Sequence, residues 1–295
     1  MSKKLSFLFL IPTLLLSACA ENFDYEVKPV EPETHYDNVY IIMGQSNASG
    51  ISPVSFLETK SPTTYLKYST NFNKVEISYD VDQRIESNFV PVRLGFGGNE
   101  EYFGPEIGIS EVISEVDEKS YIIKATWSGS CLQSQYVDKD GDTYKLYDRF
   151  VPFIKDQLKK LEKNGKNPRV KGLFWMQGES DSIDGLCDTY GEATQWFVKR
   201  MRKNLNDYVY GYMNFVDAYI STKSIHWPHP DQVNLHKDEF AALDEHNYCI
   251  HTNGEDDNAI DLVLKVDSGE GNDAAHYDSL SMLALGKEAG KYLIK

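Results

Sequence analysis

Val39-Tyr40-Ile41-Ile42-Met43-Gly44-Gln45-Ser46-Asn47-Ala48-Ser49-Gly50 is an apolar run that ends abruptly in small and polar residues. Five consecutive apolar side chains predict a strand buried on both faces, and segment 44–50 can turn sharply and present backbone N–H groups. A serine at that point is exposed yet rigidly held. A nucleophile needs both, because a hydroxyl attacks only when a base takes its proton and donors stand ready for the oxyanion. The same residues also read as a plain strand and turn, since small polar residues follow most strands.

Working outward, the strand-then-turn pattern recurs. Further strands are predicted over 121–126, 170–176, 212–219 and 259–266, and the 121–126 and 170–176 strands run into the turns Trp127-Ser128-Gly129-Ser130-Cys131 and Gln177-Gly178-Glu179-Ser180-Asp181. Helices are predicted between them. Pro105 and Glu106 suit a first turn, with Ile109, Val112, Ile113 and Val116 on one face. Phe150, Ile154, Leu158 and Leu161 mark a helix over 147–164, stopped at Asn164-Gly165. Further helices are expected over 190–205 and 232–243, and a last one from Ser279 with Met282, Leu285, Ala289 and Tyr292 on one face. This alternation calls for a three-layer α/β/α fold, a doubly wound and mostly parallel five-stranded sheet. Ligands bind outside the carboxyl ends of such strands, so Ser46, Gly129, Gln177 and the loop before the last helix are predicted to meet. Segment 52–88 has little periodicity and reads as a long excursion with at most one hairpin, of the kind that shapes access to a site; 91–96 is short and β-like.

Upstream, Lys3 and Lys4 precede an apolar segment over 5–16, and Leu16-Ser17-Ala18-Cys19 follows. Residues 1–18 read as a secretory signal, too short to span a membrane. The Leu-Ser-Ala-Cys order resembles a bacterial lipoprotein signal, which implies that Cys19 is lipidated and that the protein is held in the cell envelope. Residues 19–36, with prolines and acids, form a flexible tether. The remaining chain, 37–295, is read as a single domain: 41% of the sequence is hydrophobic, enough for a full core, and no internal repeat breaks it. The formal charge is −15, which repels nucleic acid and anionic lipid. With Cys19 assigned to lipid, Cys131, Cys187 and Cys249 remain, and Cys187 with Cys249 is the pair to test for a disulfide.

The loop before the last helix reads Gly271-Asn272-Asp273-Ala274-Ala275-His276-Tyr277-Asp278. An aspartate three residues ahead of a histidine can set its carboxylate beside the imidazole, so one turn supplies both base and orienter. Alone this is a weak signal, because surface histidines near acids are common. His226, His229 and His236 do not make a metal set, since Pro228 breaks the spacing and no cysteine or acid completes it. Asp138-Lys139-Asp140-Gly141-Asp142 resembles the start of a calcium loop, yet Arg149 stands where the closing glutamate belongs, so it reads as a solvated turn. Aromatic residues are plentiful, and Trp127 beside Gly129 is the one best placed to stack on a sugar.

Taken in order, Gly44-Gln45-Ser46-Asn47-Ala48, Gly104-Pro105-Glu106, Lys124-Ala125 with Ser128-Gly129-Ser130, Trp175-Met176-Gln177-Gly178-Glu179-Ser180-Asp181 and Asp273-Ala274-Ala275-His276 resemble the ordered blocks of the SGNH (GDSL-like) hydrolase superfamily. The likeness is to its carbohydrate-esterase branch, with sialate O-acetylesterases and acetylxylan esterases. It implies a flavodoxin-like fold, Ser46 as nucleophile, His276 as base and Asp273 as its carboxylate partner. It implies an oxyanion hole made by the Ser46 N–H, the Gly129 N–H and the Gln177 side-chain amide, with Glu179 as support. Asn47, together with Gly44, is expected to let the Ser46 N–H face the oxyanion.

The family pattern has two adjacent glycines where this chain has Ser128-Gly129, so either residue is a candidate for the second donor. Cys131 replaces a serine and reads as a small buried filler. The resemblance implies O-acetyl removal from a carbohydrate with no metal or cofactor, and no nucleic-acid partner. A glycan-binding lipoprotein without catalysis and a lipase or thioesterase of the same superfamily stay open as alternatives.

Overall fold

The computed structural model describes residues 27–254 and 259–295. The leader, Cys19 and the first part of the tether lie outside the described residues. Among the described residues nine strands form: β1 (Asp37–Gly44), β2 (Ser52–Pro53), β3 (Phe72–Val81), β4 (Arg84–Val92), β5 (Tyr102–Phe103), β6 (Ser120–Thr126), β7 (Pro168–Met176), β8 (Asn214–Ala218) and β9 (Asn247–Ile250). Seven make the central sheet, in the order β4-β3-β6-β1-β7-β8-β9, and β2 and β5 pair as a small separate ladder. Every neighbouring pair in the large sheet is parallel except β3 with β4.

β1 lies at the centre, and its side chains divide by the two-residue alternation of a strand. Val39, Ile41 and Met43 join a core with Phe150, Ile154 and Leu158 of the helix Lys145–Lys163 and Phe197 of the helix Tyr190–Asn204. Tyr40 and Ile42 join the opposite core, with Ile109 and Ile113 of the helix Glu106–Val116 and Met282 and Leu285 of the helix Ser279–Leu293. The apolar run is thus covered on both sides, as its composition demands. The Asp278 carboxylate accepts from the Ser281 N–H at 2.7 Å and caps the last helix.

Two strands beyond the expected five come from the 52–88 excursion, which holds two short helices and the β3–β4 hairpin. Asp82 and Gln83 at its tip have φ of 49° and 73°, the backbone that a two-residue hairpin turn requires. The fifth strand expected over 259–266 is corrected: β9 at Asn247–Ile250 takes that place, and 259–266 contributes isolated bridges, Asn253 to Asp261 and Leu264 to Tyr277, and the start of the short helix Lys265–Ser268. β9 is four residues long, too short for a periodic signal. Cys131, Cys187 and Cys249 are all free thiols, so the tested pair forms no bridge. Among the described residues no helix is long and apolar enough to cross a membrane.

Two helices meet on glycine. A Cβ on Gly108 would stand 2.4 Å from the Leu283 carbonyl oxygen and 2.6 Å from the Lys287 nitrogen, both backbone atoms that cannot swing away. Gly108→Ala is expected to force the helices Glu106–Val116 and Ser279–Leu293 apart at a cost of about 1–3 kcal/mol, read from urea unfolding. An unchanged unfolding midpoint would contradict this close packing.

Candidate active site

The carboxyl end of β1 is fixed by contact with β7. Gly44 has φ of 137°, and a Cβ there would fall 2.0 Å from the Met176 carbonyl oxygen, so no other residue fits. The Gln45 N–H donates to that carbonyl at 2.9 Å. Ser46 then opens the single helical turn Ser46–Ser49, where the first N–H groups have no acceptor within the helix. Beneath the turn lies Lys124 of β6, wholly buried, whose Nζ donates to the Ser49 carbonyl at 2.8 Å, the Phe96 carbonyl at 3.0 Å and Glu106 Oε2 at 2.7 Å. Burial pushes the Lys124 ammonium below its ordinary range and the Glu106 carboxylate opposes that. Glu106 Oε1 also accepts from the Gly104 N–H at 2.9 Å, which ties the second sequence block to the first.

The aspartate and histidine sit in a loop held between β2 and the last helix. Asp273 Oδ2 lies 2.7 Å from His276 Nδ1 and 3.2 Å from Lys265 Nζ, and Asp273 Oδ1 accepts the Ala275 N–H at 2.9 Å. Burial opposes ionisation of Asp273, but these donors outweigh it and hold the carboxyl down to about 2. Asn47 joins this loop to the serine turn: its Nδ2 donates to Glu179 Oε1 at 2.9 Å and the Ala275 carbonyl at 3.5 Å, and its Oδ1 accepts from the Tyr277 N–H at 3.4 Å. The residue after Ser46 therefore touches the residues on both sides of His276. Among the described residues no hydrogen bond joins the Ser46 hydroxyl to the imidazole, and catalytic hydrogen bonds often tighten only when substrate is bound. Glu179 is buried, its Oε2 has no partner among the described residues, and burial pushes its pKa up despite the Asn47 contact.

The 127–131 turn distinguishes the two donor candidates. The Ser128 N–H donates to Asp82 Oδ1 at 2.6 Å and its hydroxyl to Asp82 Oδ2 at 2.8 Å, so that N–H is occupied. Gly129 has φ of 67°, with open space where a side chain would stand. Gln177 departs from the expectation that its amide faces an oxyanion. Its Nε2 carries two hydrogens and already meets three acceptors, Asp181 Oδ2 at 2.6 Å, the Ser130 carbonyl at 3.0 Å and Gln45 Oε1 at 3.1 Å. It cross-links three turns from a fully buried position. Cys131 is more than a filler: its Sγ lies 3.1 Å from Asp181 Oδ1, and burial, with the Asp181 charge, lifts the thiol to about 11.

Sequence reading missed the groups that hold these turns. Asp181 accepts from the Leu132 N–H at 2.8 Å and the Gln133 N–H at 3.2 Å as well as from Gln177 and Cys131. Lys237 of the helix Pro230–Ala241 donates to the Gln177 carbonyl at 2.6 Å and to Asp217 at 2.5 Å, and burial pushes Asp217 up to about 6 against the pull of that lysine. His229 pairs with Asp184 at 2.6 Å and His236 with Glu239 at 2.9 Å, each apart from the other. Asp138 closes its own turn by accepting the Asp140 and Asp142 N–H groups, each at 2.9 Å. Trp127 has the Arg149 guanidinium 5.4 Å above its ring, which leaves at most one face for a ligand.

Fold and site together define an α/β enzyme with its polar residues gathered at the carboxyl edge of a parallel sheet. The chain belongs to the family described as carbohydrate esterase, sialic acid-specific acetylesterase, whose profile matches residues 36–295, and it is a carboxylic ester hydrolase. Among solved structures it is similar to a protein from Arabidopsis thaliana (18% identity, TM-score 0.62, covering 88% of this chain and 99% of that one). It is also similar to NanS (12% identity, TM-score 0.61, 91% and 98% covered). A carbohydrate acetylesterase from Xanthomonas citri is a third (14% identity, TM-score 0.54, 86% and 54% covered). These likenesses establish the fold. No curated protein matches the sequence.

The Asp273 carboxyl gives the site a measurable acid limb. Its folded pKa is depressed to about 2, so its ionised form favours the folded chain in full above about pH 4 and loses that effect as pH falls further. In Asp273→Asn, unfolding free energy measured across this interval is expected to fall less steeply with acid than in the wild type. An unchanged slope would contradict the pairing.

Proposed function

We propose that this protein removes O-acetyl groups from a carbohydrate by a serine acyl-enzyme mechanism. The supporting observation is the Asp273 to His276 pair at 2.7 Å, anchored through Asn47 to the turn that carries Ser46. With Nδ1 turned to the carboxylate, Nε2 is the nitrogen left to take the Ser46 proton. The serine oxygen attacks the acetyl carbonyl, and the oxyanion that forms is met by the Ser46 and Gly129 N–H groups. His276 returns the proton to the departing sugar hydroxyl. Water, deprotonated by the same imidazole, then attacks the acetyl-serine; the bond to the Ser46 oxygen breaks, acetate leaves, and the imidazole returns the proton to that oxygen.

Gln177, Glu179 and Asp181 act as positioning residues in this scheme: they set the turns and touch no reacting atom. Family membership supports carbohydrate O-acetyl esters as the substrate class. The leader over 1–18, with Cys19 directly behind it, supports a lipid-anchored enzyme of the bacterial cell envelope, acting on glycans at the membrane.

Ser46→Ala is expected to lower acetate release from an aryl acetate and from acetylated glycans by on the order of 10⁴-fold or more, with the unfolding midpoint retained. Undiminished turnover in that variant would sink the mechanism. Binding of glycan without hydrolysis by the wild type would favour the non-catalytic alternative.

A further inference from the structure

Beyond the ester-cleaving site, Asp238, Cys249 and His251 bring a carboxylate oxygen, a thiol sulfur and an imidazole nitrogen within 4.8 Å of one another. Cys249 is on β9, and His251 stands one residue past the end of that strand. Asp238 reaches them from the helix Pro230–Ala241. We infer that these three residues form a zinc-binding site that clamps this helix to the edge of the sheet.

The donor set carries the choice of ion. Sulfur and imidazole nitrogen suit zinc, whereas calcium and magnesium take oxygen ligands. In a tetrahedral zinc site with bonds of about 2.0–2.3 Å, donors stand about 3.3–3.8 Å apart. The His251 Nε2 to Asp238 Oδ1 separation is 2.9 Å, so only a small opening admits the ion.

The surroundings already orient two of the ligands. The Tyr219 hydroxyl donates to the other Asp238 oxygen, and the Tyr219 ring stacks on His251 with centroids 4.4 Å apart and planes 18° apart. Outer-shell contacts of this kind fix ligand direction at metal sites. A cavity of about 280 Å³, lined by Tyr219, Thr222, Asn234, Asp238 and His251 among others, opens onto two of the three ligands and has room for a water as fourth ligand. On binding, the Cys249 thiol gives its proton to solvent and the thiolate takes the ion. The site has a structural consequence through Lys237, the neighbour of Asp238, which holds the Gln177 carbonyl at 2.6 Å. Zinc fixes the helix and takes no part in the ester chemistry, so the inference stands apart from the mechanism proposed above.

The experiment uses the full chain, stripped with a chelator and titrated with Zn²⁺ against a chromophoric competitor, with Co²⁺ as a spectroscopic probe. One zinc per chain and a thiolate-to-cobalt charge-transfer band are expected. Cys249→Ser and His251→Gln are each expected to weaken zinc binding by on the order of 100-fold or more and, for the serine variant, to abolish that band. Hydrolysis of an aryl acetate by the stripped variants reports that they are folded. Zinc affinity that survives either substitution, or a wild-type cobalt complex without the thiolate band, overturns the site; the cobalt spectrum needs no variant and so decides the matter even where a substitution prevents folding.

Discussion

The buried ammonium of Lys124 is the constraint on which the Ser46 turn depends. A charge with no access to water must be matched by nearby acceptors, and here Glu106 supplies the countercharge while the Ser49 and Phe96 carbonyls complete the shell. One of those carbonyls belongs to the turn that Ser46 opens. The same ion pair, through Glu106 and the Gly104 N–H, draws in the segment against which Gly50 packs, where an added Cβ would lie 2.4 Å from the Gly104 nitrogen. Removing either charge would leave the other buried and uncompensated, a loss of about 3–5 kcal/mol in comparable cases. The serine is therefore placed by electrostatics below the turn as much as by the turn's own geometry.

A second buried lysine does the matching work on the other side of β1. Lys237 meets Asp217 from β8 and the Gln177 carbonyl from the end of β7, so a helix, a strand and a site turn converge on one ammonium. Asp181 then gathers the Gln177 amide, the Cys131 thiol and two backbone N–H groups. With these groups in place, the turns after β1, β6 and β7 are held rigidly, and preorganised donors at such turns are what stabilise a developing oxyanion most effectively. The loop of Asp273 and His276 is fixed separately, by Lys265 and by Asn47.

Much of this was legible in the sequence because each turn follows a strong apolar strand. Runs such as Val39 to Met43 and Leu173 to Met176 announce buried strands, and the small residues behind them announce turns. The alternation of strands and helices called for a parallel sheet with polar turns at one edge, whereas the order of the strands within it depends on pairings far apart in sequence. β3 and β9 escaped because one mixes Asn, Lys, Glu and Ser into its length and the other is only four residues long. The lysines escaped for a different reason. A lysine ordinarily signals exposure, and its burial depends on partners far away in sequence; the one hint was Lys124 lying inside the otherwise apolar stretch Tyr121 to Ala125. The use of the Gln177 amide was illegible for the same reason, since three separate turns supply its acceptors.

The central claim is that Ser46, served by His276, becomes acylated. The most direct measurement is mass spectrometry of the chain quenched in acid within a turnover of adding an aryl acetate. The account predicts a single acetyl group on the peptide carrying Ser46, absent when Ser46 is replaced and slow to form when His276 is. Acetate released with no covalent intermediate, or acetyl carried on another residue, would contradict it.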